Sequence, residues 1–279
     1  MLPCGYYLVT FTLPAELRPL ARSHPKKVYS LLMKGGAAAL LKLLGDPQFL
    51  GARPACLAVL HTWTRALLYH PHVHMLVTAG GLASDGRWIQ PRSPGFLLPE
   101  KPLAQIFRAK ICAALKKAGL LAEVPAHIWN KDWVVDCKHA RQGGQVLRYL
   151  ARYLFRVAIA NSRLEQIHDG QVSFRYRDNR TQHMRRATLS GVEFLHRFLQ
   201  HVLPRGCSKI RYYGIWSPRC AGQLDLARAQ LDCPAPDLSP EPEPLEAPKP
   251  EASAARCPLC RAGNLVLLGI LSPQRSRSP

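Results

Sequence analysis

The chain has 279 residues, of which 47% are hydrophobic, and this is enough for one large core or two modest ones. Its 38 Lys and Arg residues outnumber its 18 Asp and Glu residues, and residues 1–220 carry 32 basic against 11 acidic side chains, so this part attracts a polyanion such as nucleic acid. Apolar runs fall short of the ~20 residues that span a bilayer, and neither a signal peptide nor a disulfide framework is recognisable, so we predict a cytoplasmic protein.

Residue periodicity divides the first 219 residues into alternating strands and helices. In chain order these are a strand (Tyr6–Leu13), a helix (Pro25–Leu44), a strand-like region (56–80), a helix (Glu100–Ala118), a strand (Trp129–Cys137), a helix (Gly144–Val157), two strands (Gln171–Arg177 and Arg185–Leu189), a helix that starts after Ser190 and a strand (Lys209–Ile215). Glu193 follows Ser190 by three residues, which predicts a capping box. Strands that interleave with helices indicate an α+β or α/β fold.

The composition changes near residue 220. Residues 234–252 are mostly Pro, Glu and Ala, which cannot build a core. We therefore predict one folded domain over residues 1–219, a linker over 220–256 and a short disordered tail over 257–279. The tail holds Cys257 and Cys260, but a single close pair is only half of a zinc ribbon, so structural zinc is not expected.

Alternating histidines mark the strand-like region. His70, His72 and His74 recur at every second position, which places them on one face of a strand, while Val73, Met75 and Val77 point to the other face. Imidazoles on one face with apolar residues behind them form a platform for a divalent metal ion. Pro71 cannot donate a sheet hydrogen bond, so the regular strand is expected to start at His72.

Two tyrosines lie one helical turn apart on the helix predicted over 144–157. Tyr149 and Tyr153 share one side of that helix, and arginines recur beside them at the same spacing, at Arg148, Arg152 and Arg156. Guanidinium groups bind phosphate oxygens in a fork, and a tyrosine is a nucleophile once it is activated. These three arginines, together with Arg175 and Arg177, are the predicted DNA-binding residues.

In combination these motifs resemble the two-tyrosine branch of the HUH transposases (His-hydrophobic-His) of rolling-circle insertion sequences. The resembling segments are LHTWTRALLYHPHVHMLVTAGGL at 60–82, GGQVLRYLARYLFRVAIANSRL at 143–164 and a third at 169–218. The resemblance implies an α+β fold with a central antiparallel sheet flanked by helices. It places the histidine motif on a central strand and the tyrosines on a facing helix.

The resemblance also implies a chemistry. His72 and His74 would bind Mg²⁺ or Mn²⁺, and Tyr149 or Tyr153 would attack single-stranded DNA at an element end, leaving a 5′-phosphotyrosine and a free 3′-OH. The covalent link keeps the energy of the broken bond, so no nucleotide cofactor is expected, and the sequence holds no Walker loop. The expected setting is the cytoplasm of a bacterium, with chromosomal or plasmid DNA as the target.

Two departures from the family pattern affect the predicted site. Full-length members carry a cysteine-rich zinc-binding segment before the catalytic domain, whereas this chain has only Cys4 there, so we expect that segment to be lacking. Single-tyrosine relatives take a metal ligand from a glutamine one turn after the tyrosine, but Tyr153 and Val157 occupy the corresponding positions. His70 is therefore predicted as the third ligand.

Two alternatives to a transposase remain open from the sequence alone. The first is a replication initiator or relaxase that uses the same chemistry at a different DNA site. The second is a degenerate remnant that binds DNA without cutting it. Such a remnant would keep a salt-dependent affinity for DNA but would form no metal-dependent covalent adduct.

Overall fold

A computed structural model describes residues 1–93, 95–140, 158–178 and 181–231. The sites predicted at Tyr149 and Tyr153, at Arg148, Arg152 and Arg156, and at Cys257 and Cys260 lie outside these residues, as does most of the predicted linker. Within the described ranges, no helix is both long and apolar enough to cross a membrane.

Ten strands and five α-helices make up the described chain. The strands are β1 (Tyr6–Thr12), β2 (Ala55–Trp63), β3 (Tyr69–Thr78), β4 (Gly81–Leu82), β5 (Trp88–Ile89), β6 (Val135–Ala140), β7 (Leu164–His168), β8 (Gln171–Arg177), β9 (Met184–Ser190) and β10 (Ile210–Gly214). The helices are α1 (Arg18–Ser23), α2 (Pro25–Leu44), α3 (Glu100–Lys117), α4 (Gly191–Leu199) and α5 (Ala221–Gln230).

The central sheet has five strands in the order β10-β2-β3-β1-β6, and every neighbouring pair is antiparallel. This confirms the α+β class, and it places the histidine strand β3 in the middle of the sheet as predicted. Strand pairing on both sides leaves β3 without a free edge, so its side chains are held in one register.

The main core lies between one face of this sheet and helices α2 and α3. Val73, Met75 and Val77 of β3 are fully buried in it, as the sequence alternation predicts. Gly36 allows the close approach of α2, because a Cβ atom there would lie 2.9 Å from Met75 Cε and 3.1 Å from the Phe11 ring. The helix backbone therefore packs directly behind the strand that carries the histidines.

A second sheet, β7-β8-β9, packs its inner face on helix α4. Phe174 of β8 is fully buried against Phe194 and Phe198 of α4. The cap at Ser190 forms as predicted, since its Oγ accepts from the Glu193 amide at 3.2 Å. Only half of the capping box is present, because the Glu193 carboxylate accepts from Arg197 Nε at 2.6 Å instead.

The prediction of a strand from Trp129 to Cys137 is wrong in its first half. Residues Ala126–Asn130 form a 3-10 turn, and the strand runs from Val135 to Ala140. Trp129 stacks on Trp133 with ring centroids 5.7 Å apart, and the Trp133 indole donates to the Ile128 carbonyl at 3.1 Å. The aromatic residues therefore pack on each other within a turn rather than alternating across a sheet.

Helix α5 lies beyond the predicted domain boundary at residue 219. Ala227 of α5 is fully buried, and it packs with Ile215 and with Leu82, which belongs to β4 of the small β4-β5 hairpin. The packed structure therefore continues to the end of the described chain.

Candidate metal centre

Three histidines meet on the face of the central sheet that is turned away from α2 and α3. His72 and His74 come from β3, and His61 comes from β2, where it pairs directly opposite His72. One ring nitrogen of each residue lies within 4.8 Å of the others. The ring centroids are 4.6 Å apart for His61 and His74, and 4.8 Å apart for His72 and His74. Three imidazoles at this spacing can bind one metal ion.

Hydrogen bonds to the Nδ1 atoms orient two of the three rings. Nδ1 of His72 lies 2.7 Å from the backbone oxygen of His70, and a carbonyl oxygen only accepts, so this nitrogen carries the proton. Nδ1 of His74 lies 2.9 Å from the Thr10 hydroxyl. In His72 the Nε2 lone pair is therefore left for a metal ion, which is the arrangement found at histidine metal sites. In His74 the same arrangement holds when Nδ1 donates to the Thr10 hydroxyl.

Burial keeps these imidazoles in the neutral form that binds metal. Desolvation lowers the pKa of His72 to about 3 and that of His74 to about 4, and the Asp136 carboxylate partly opposes the shift at His74. Desolvation also places the pKa of His61 far below its ordinary value. At pH 7 no proton has to leave the three rings before a metal ion binds.

We expect Thr10→Val to weaken metal binding by about 10- to 100-fold, because this is the usual effect of losing a hydrogen bond that orients a histidine ligand. Valine keeps the shape of threonine but loses the hydroxyl that contacts His74. Thr12→Val is the matched control, since Thr12 lies opposite His72 on the same strand pair. Calorimetric titration with Mn²⁺ would measure both, and equal affinities would contradict the orienting role of Thr10.

His70, the predicted third ligand, shares the strand face but has a different contact. Its ring centroid is 5.3 Å from that of His72, while its Nδ1 lies 2.7 Å from the Arg18 guanidinium. A guanidinium only donates, so this nitrogen accepts. Burial, followed by the nearby charge of Arg18, lowers the pKa of His70. The structure thus brings His61, and not His70, into the group of three.

His61 was missed in the sequence because it stands alone on its own strand. The feature that could have identified it is a polar residue at the end of an apolar run. All of the preceding strand residues, Ala55–Leu60, are buried, and His61 itself is 3% exposed. Trp63 stacks on the His61 ring at 5.2 Å, and the Lys209 ammonium lies 5.1 Å above the Trp63 ring. A cation and an aromatic ring therefore flank the imidazole cluster.

Two of the predicted DNA-binding arginines fall within the described chain. Arg175 and Arg177 lie on β8 and point to the exposed face of the second sheet. Nε of Arg175 is 2.9 Å from the Glu165 carboxylate, and Nε of Arg177 donates to the Gln182 carbonyl at 2.9 Å. Both side chains have partners of their own, so DNA binding by them stays a prediction.

Known proteins resemble this chain over most of its length. The family model described as "Putative transposase" matches residues 56–223. "Putative transposase y4qJ" of Sinorhizobium fredii is 36% identical over 307 residues, covering 99% of this chain and 77% of the relative. The "Transposase for insertion sequence element IS801" of Pseudomonas savastanoi pv. phaseolicola is 31% identical over 288 residues, covering 93% of this chain and 66% of the relative.

Solved structures match more weakly. The complex of TrwC with a 27-mer DNA comprising the recognition hairpin and the cleavage site has a TM-score of 0.34 and 12% identity, and it covers 81% of this chain and 73% of that one. The metal-free complex of the conjugative relaxase TrwC with OriT DNA has a TM-score of 0.33 and 12% identity. The sequence matches decide the family, and they confirm the resemblance to a transposase: this chain belongs to the family of transposases whose model spans residues 56–223.

Proposed function

We propose that this chain is a metal-dependent transposase that nicks and rejoins single-stranded DNA at the ends of an insertion sequence. The observation that carries the proposal is the cluster of His61, His72 and His74 on the open side of the central sheet. The His72 ring carries its proton on Nδ1, which leaves the Nε2 lone pair for a metal ion, and the Thr10 hydroxyl orients the His74 ring. Three protein ligands leave further coordination positions for a substrate oxygen and water.

The donor set fits a transition-metal ion. Imidazole nitrogen is a good ligand for first-row transition metals, whereas Mg²⁺ strongly prefers oxygen. Of the two ions predicted from the sequence, Mn²⁺ therefore suits His61, His72 and His74 better. When bound, the ion would polarise the scissile phosphate as a Lewis acid. The histidines supply its fixed position, and Thr10 holds one of them in orientation.

Tyr149 or Tyr153 is the proposed nucleophile. Both tyrosines lie between two described residues, Ala140 and Ala158, each of which belongs to a buried cluster. Ala140 lies in a buried cluster with Leu76, two residues after His74, and Ala158 lies in one that Trp63 contacts. Trp63 in turn stacks on the ring of the third histidine. Both tyrosines fall within residues 56–223, which match the transposase family model, and this match supports the proposal.

The reaction balances without a nucleotide cofactor. The phenolic oxygen of one tyrosine forms a bond to phosphorus as the bond from phosphorus to the 3′ oxygen breaks, and the leaving oxygen takes up a proton to give a 3′-OH. The 5′ end stays attached to the tyrosine, so the energy of the phosphodiester is kept for rejoining. The second tyrosine can serve a second strand cleavage. We place this activity in the bacterial cytoplasm.

The test is a covalent-adduct assay. The protein is incubated with Mn²⁺ and labelled single-stranded DNA from an element end, and adducts are separated on a denaturing gel. The double variant Tyr149→Phe, Tyr153→Phe is expected to form no adduct, because phenylalanine lacks the attacking oxygen. Tyr212→Phe is the control, since Tyr212 is a tyrosine of β10 with half of its surface exposed. Peptide mapping of the wild-type adduct would identify the nucleophile.

Two results would contradict the proposal. One is a wild-type protein that gives neither nick nor adduct, and the other is a double variant that still forms an adduct. Salt-dependent DNA binding without an adduct would instead indicate a DNA-binding remnant.

A further inference from the structure

Arg18, the first residue of α1, makes one side-chain hydrogen bond within the described part of the chain, and its partner is His70 on the histidine face of β3. Its Nη2 donates to Nδ1 of His70 at 2.7 Å. Its Nε is buried and finds no hydrogen-bond acceptor in the part of the chain that the structure describes. A buried donor on a permanently charged group is costly to leave unpaired, so an anionic acceptor would fit there.

Several other arginines of the described chain are neutralised by carboxylates, while others, such as Arg108 and Arg211, donate to a carbonyl or a hydroxyl oxygen. Arg197 pairs with Glu193 at 2.6 Å, and Arg228 pairs with Asp225 at 3.0 Å. Arg87 pairs with Asp85 at 2.7 Å. Arg18 differs from all of these in its buried Nε, which has no acceptor among the described residues, and its side-chain partner is the neutral His70 ring. A guanidinium that keeps its whole charge at a partly buried place is suited to a phosphate, which it can bind in a fork.

The position of His70 links this guanidinium to the metal centre. The backbone oxygen of His70 accepts from Nδ1 of His72, while its side chain accepts from Arg18. The His70 ring lies 5.3 Å from the His72 ring, centroid to centroid. One residue thus orients both a predicted metal ligand and a cation on the same side of β3.

We propose that Arg18 binds a phosphate group of the single-stranded DNA next to the metal centre, and that His70 is the residue that positions it. This inference rests on the proposed function, and it gives His70 a role other than that of a metal ligand. Arg18 would hold the DNA backbone without reading bases, so its contribution is the same for every sequence.

DNA affinity tests the role of Arg18 without requiring catalysis. Binding of a fluorescent single-stranded oligonucleotide from an element end is measured by anisotropy at several salt concentrations. Arg18→Gln is expected to weaken binding about tenfold and to reduce the slope of log K against log salt by about 0.7, the value for one phosphate contact on a single strand. Arg18→Lys keeps the charge but loses the fork, so its affinity should be intermediate.

Lys34→Gln is the matched control for the loss of one charge. Lys34 is exposed on α2, which packs on the opposite face of the sheet. Arg18→Gln and Lys34→Gln should bind Mn²⁺ like the wild type in a calorimetric titration. If the two variants also weaken DNA binding equally, Arg18 acts only through net charge and the proposal is wrong.

Substitutions of His70 separate positioning from metal binding. His70→Gln keeps a side-chain acceptor for Arg18 and should retain most of the DNA affinity, whereas His70→Leu should lose as much affinity as Arg18→Gln. A loss of Mn²⁺ binding in His70→Leu would overturn the proposal, because His70 would then be a ligand. If the wild type forms no adduct but Arg18→Gln still reduces the salt slope as expected, the nicking function is contradicted and the phosphate site at Arg18 is supported.

Discussion

His61→Ala is expected to abolish tight Mn²⁺ binding and to slow Mn²⁺-dependent nicking by about 100-fold or more. His61 supplies one of the three imidazoles that lie within 4.8 Å of one another. A metal ion that polarises a phosphate provides several kcal/mol of transition-state stabilisation, and each 1.4 kcal/mol is worth about tenfold in rate. Calorimetry would measure the affinity, and the adduct assay would measure the rate.

His70→Ala is the matched control, since it removes an imidazole from the same sheet face but leaves the group of three intact. It should bind Mn²⁺ like the wild type. Because His61 is 3% exposed, its replacement also leaves a cavity, so thermal melting in the presence of a chelator must show that both variants are folded. Loss of Mn²⁺ binding in His70→Ala, with binding retained in His61→Ala, would show that the third ligand is His70.

The contrast between His61 and His70 shows which parts of the candidate metal site can be predicted from the sequence. The alternation of His72 and His74 with Val73 and Met75 is local, and it correctly predicts which side of β3 faces the core. The third imidazole depends on the pairing of β2 with β3, which places His61 opposite His72. That pairing joins residues on separate strands, and it is fixed by the packing of the whole sheet rather than by any local pattern.

Helix α4 also shows that a local sequence pattern predicts local structure but not tertiary packing. The cap at Ser190 depends on residues three positions apart, and it forms as predicted. Periodicity also predicts one apolar face formed by Phe194, Leu195, Phe198 and Leu199. Of these four residues, Phe194 and Phe198 pack against the second sheet. Leu195 and Leu199 are 56% and 60% exposed. Periodicity identifies the apolar side of a helix, but the neighbouring elements decide how much of that side becomes buried.

Gly214→Ala is expected to destabilise the protein by about 4 kcal/mol or more, which is in the range of exceptional single substitutions. Gly214 ends β10 with a φ of +61°, and a Cβ atom there would lie 1.8 Å from the backbone oxygen of Pro54. That oxygen cannot move aside easily, because it accepts from the Ile215 amide at 3.1 Å. Urea unfolding would measure the difference from the wild type.

Gly119→Ala is the control that separates the strain of a left-handed backbone from the steric clash with the Pro54 oxygen. Gly119 has a φ of +71°, but a Cβ atom there would meet nothing within 4 Å among the described residues. A left-handed conformation alone costs about 1–2 kcal/mol for an L-residue, so this variant should lose only that amount. The additional loss of unfolding free energy in Gly214→Ala then measures the clash with Pro54, at the point where β10 pairs with β2, the strand that carries His61. Equal losses in the two variants would mean that the strand ends can separate, and that the end of β10 opposite Ala55 is less tightly fixed than this contact implies.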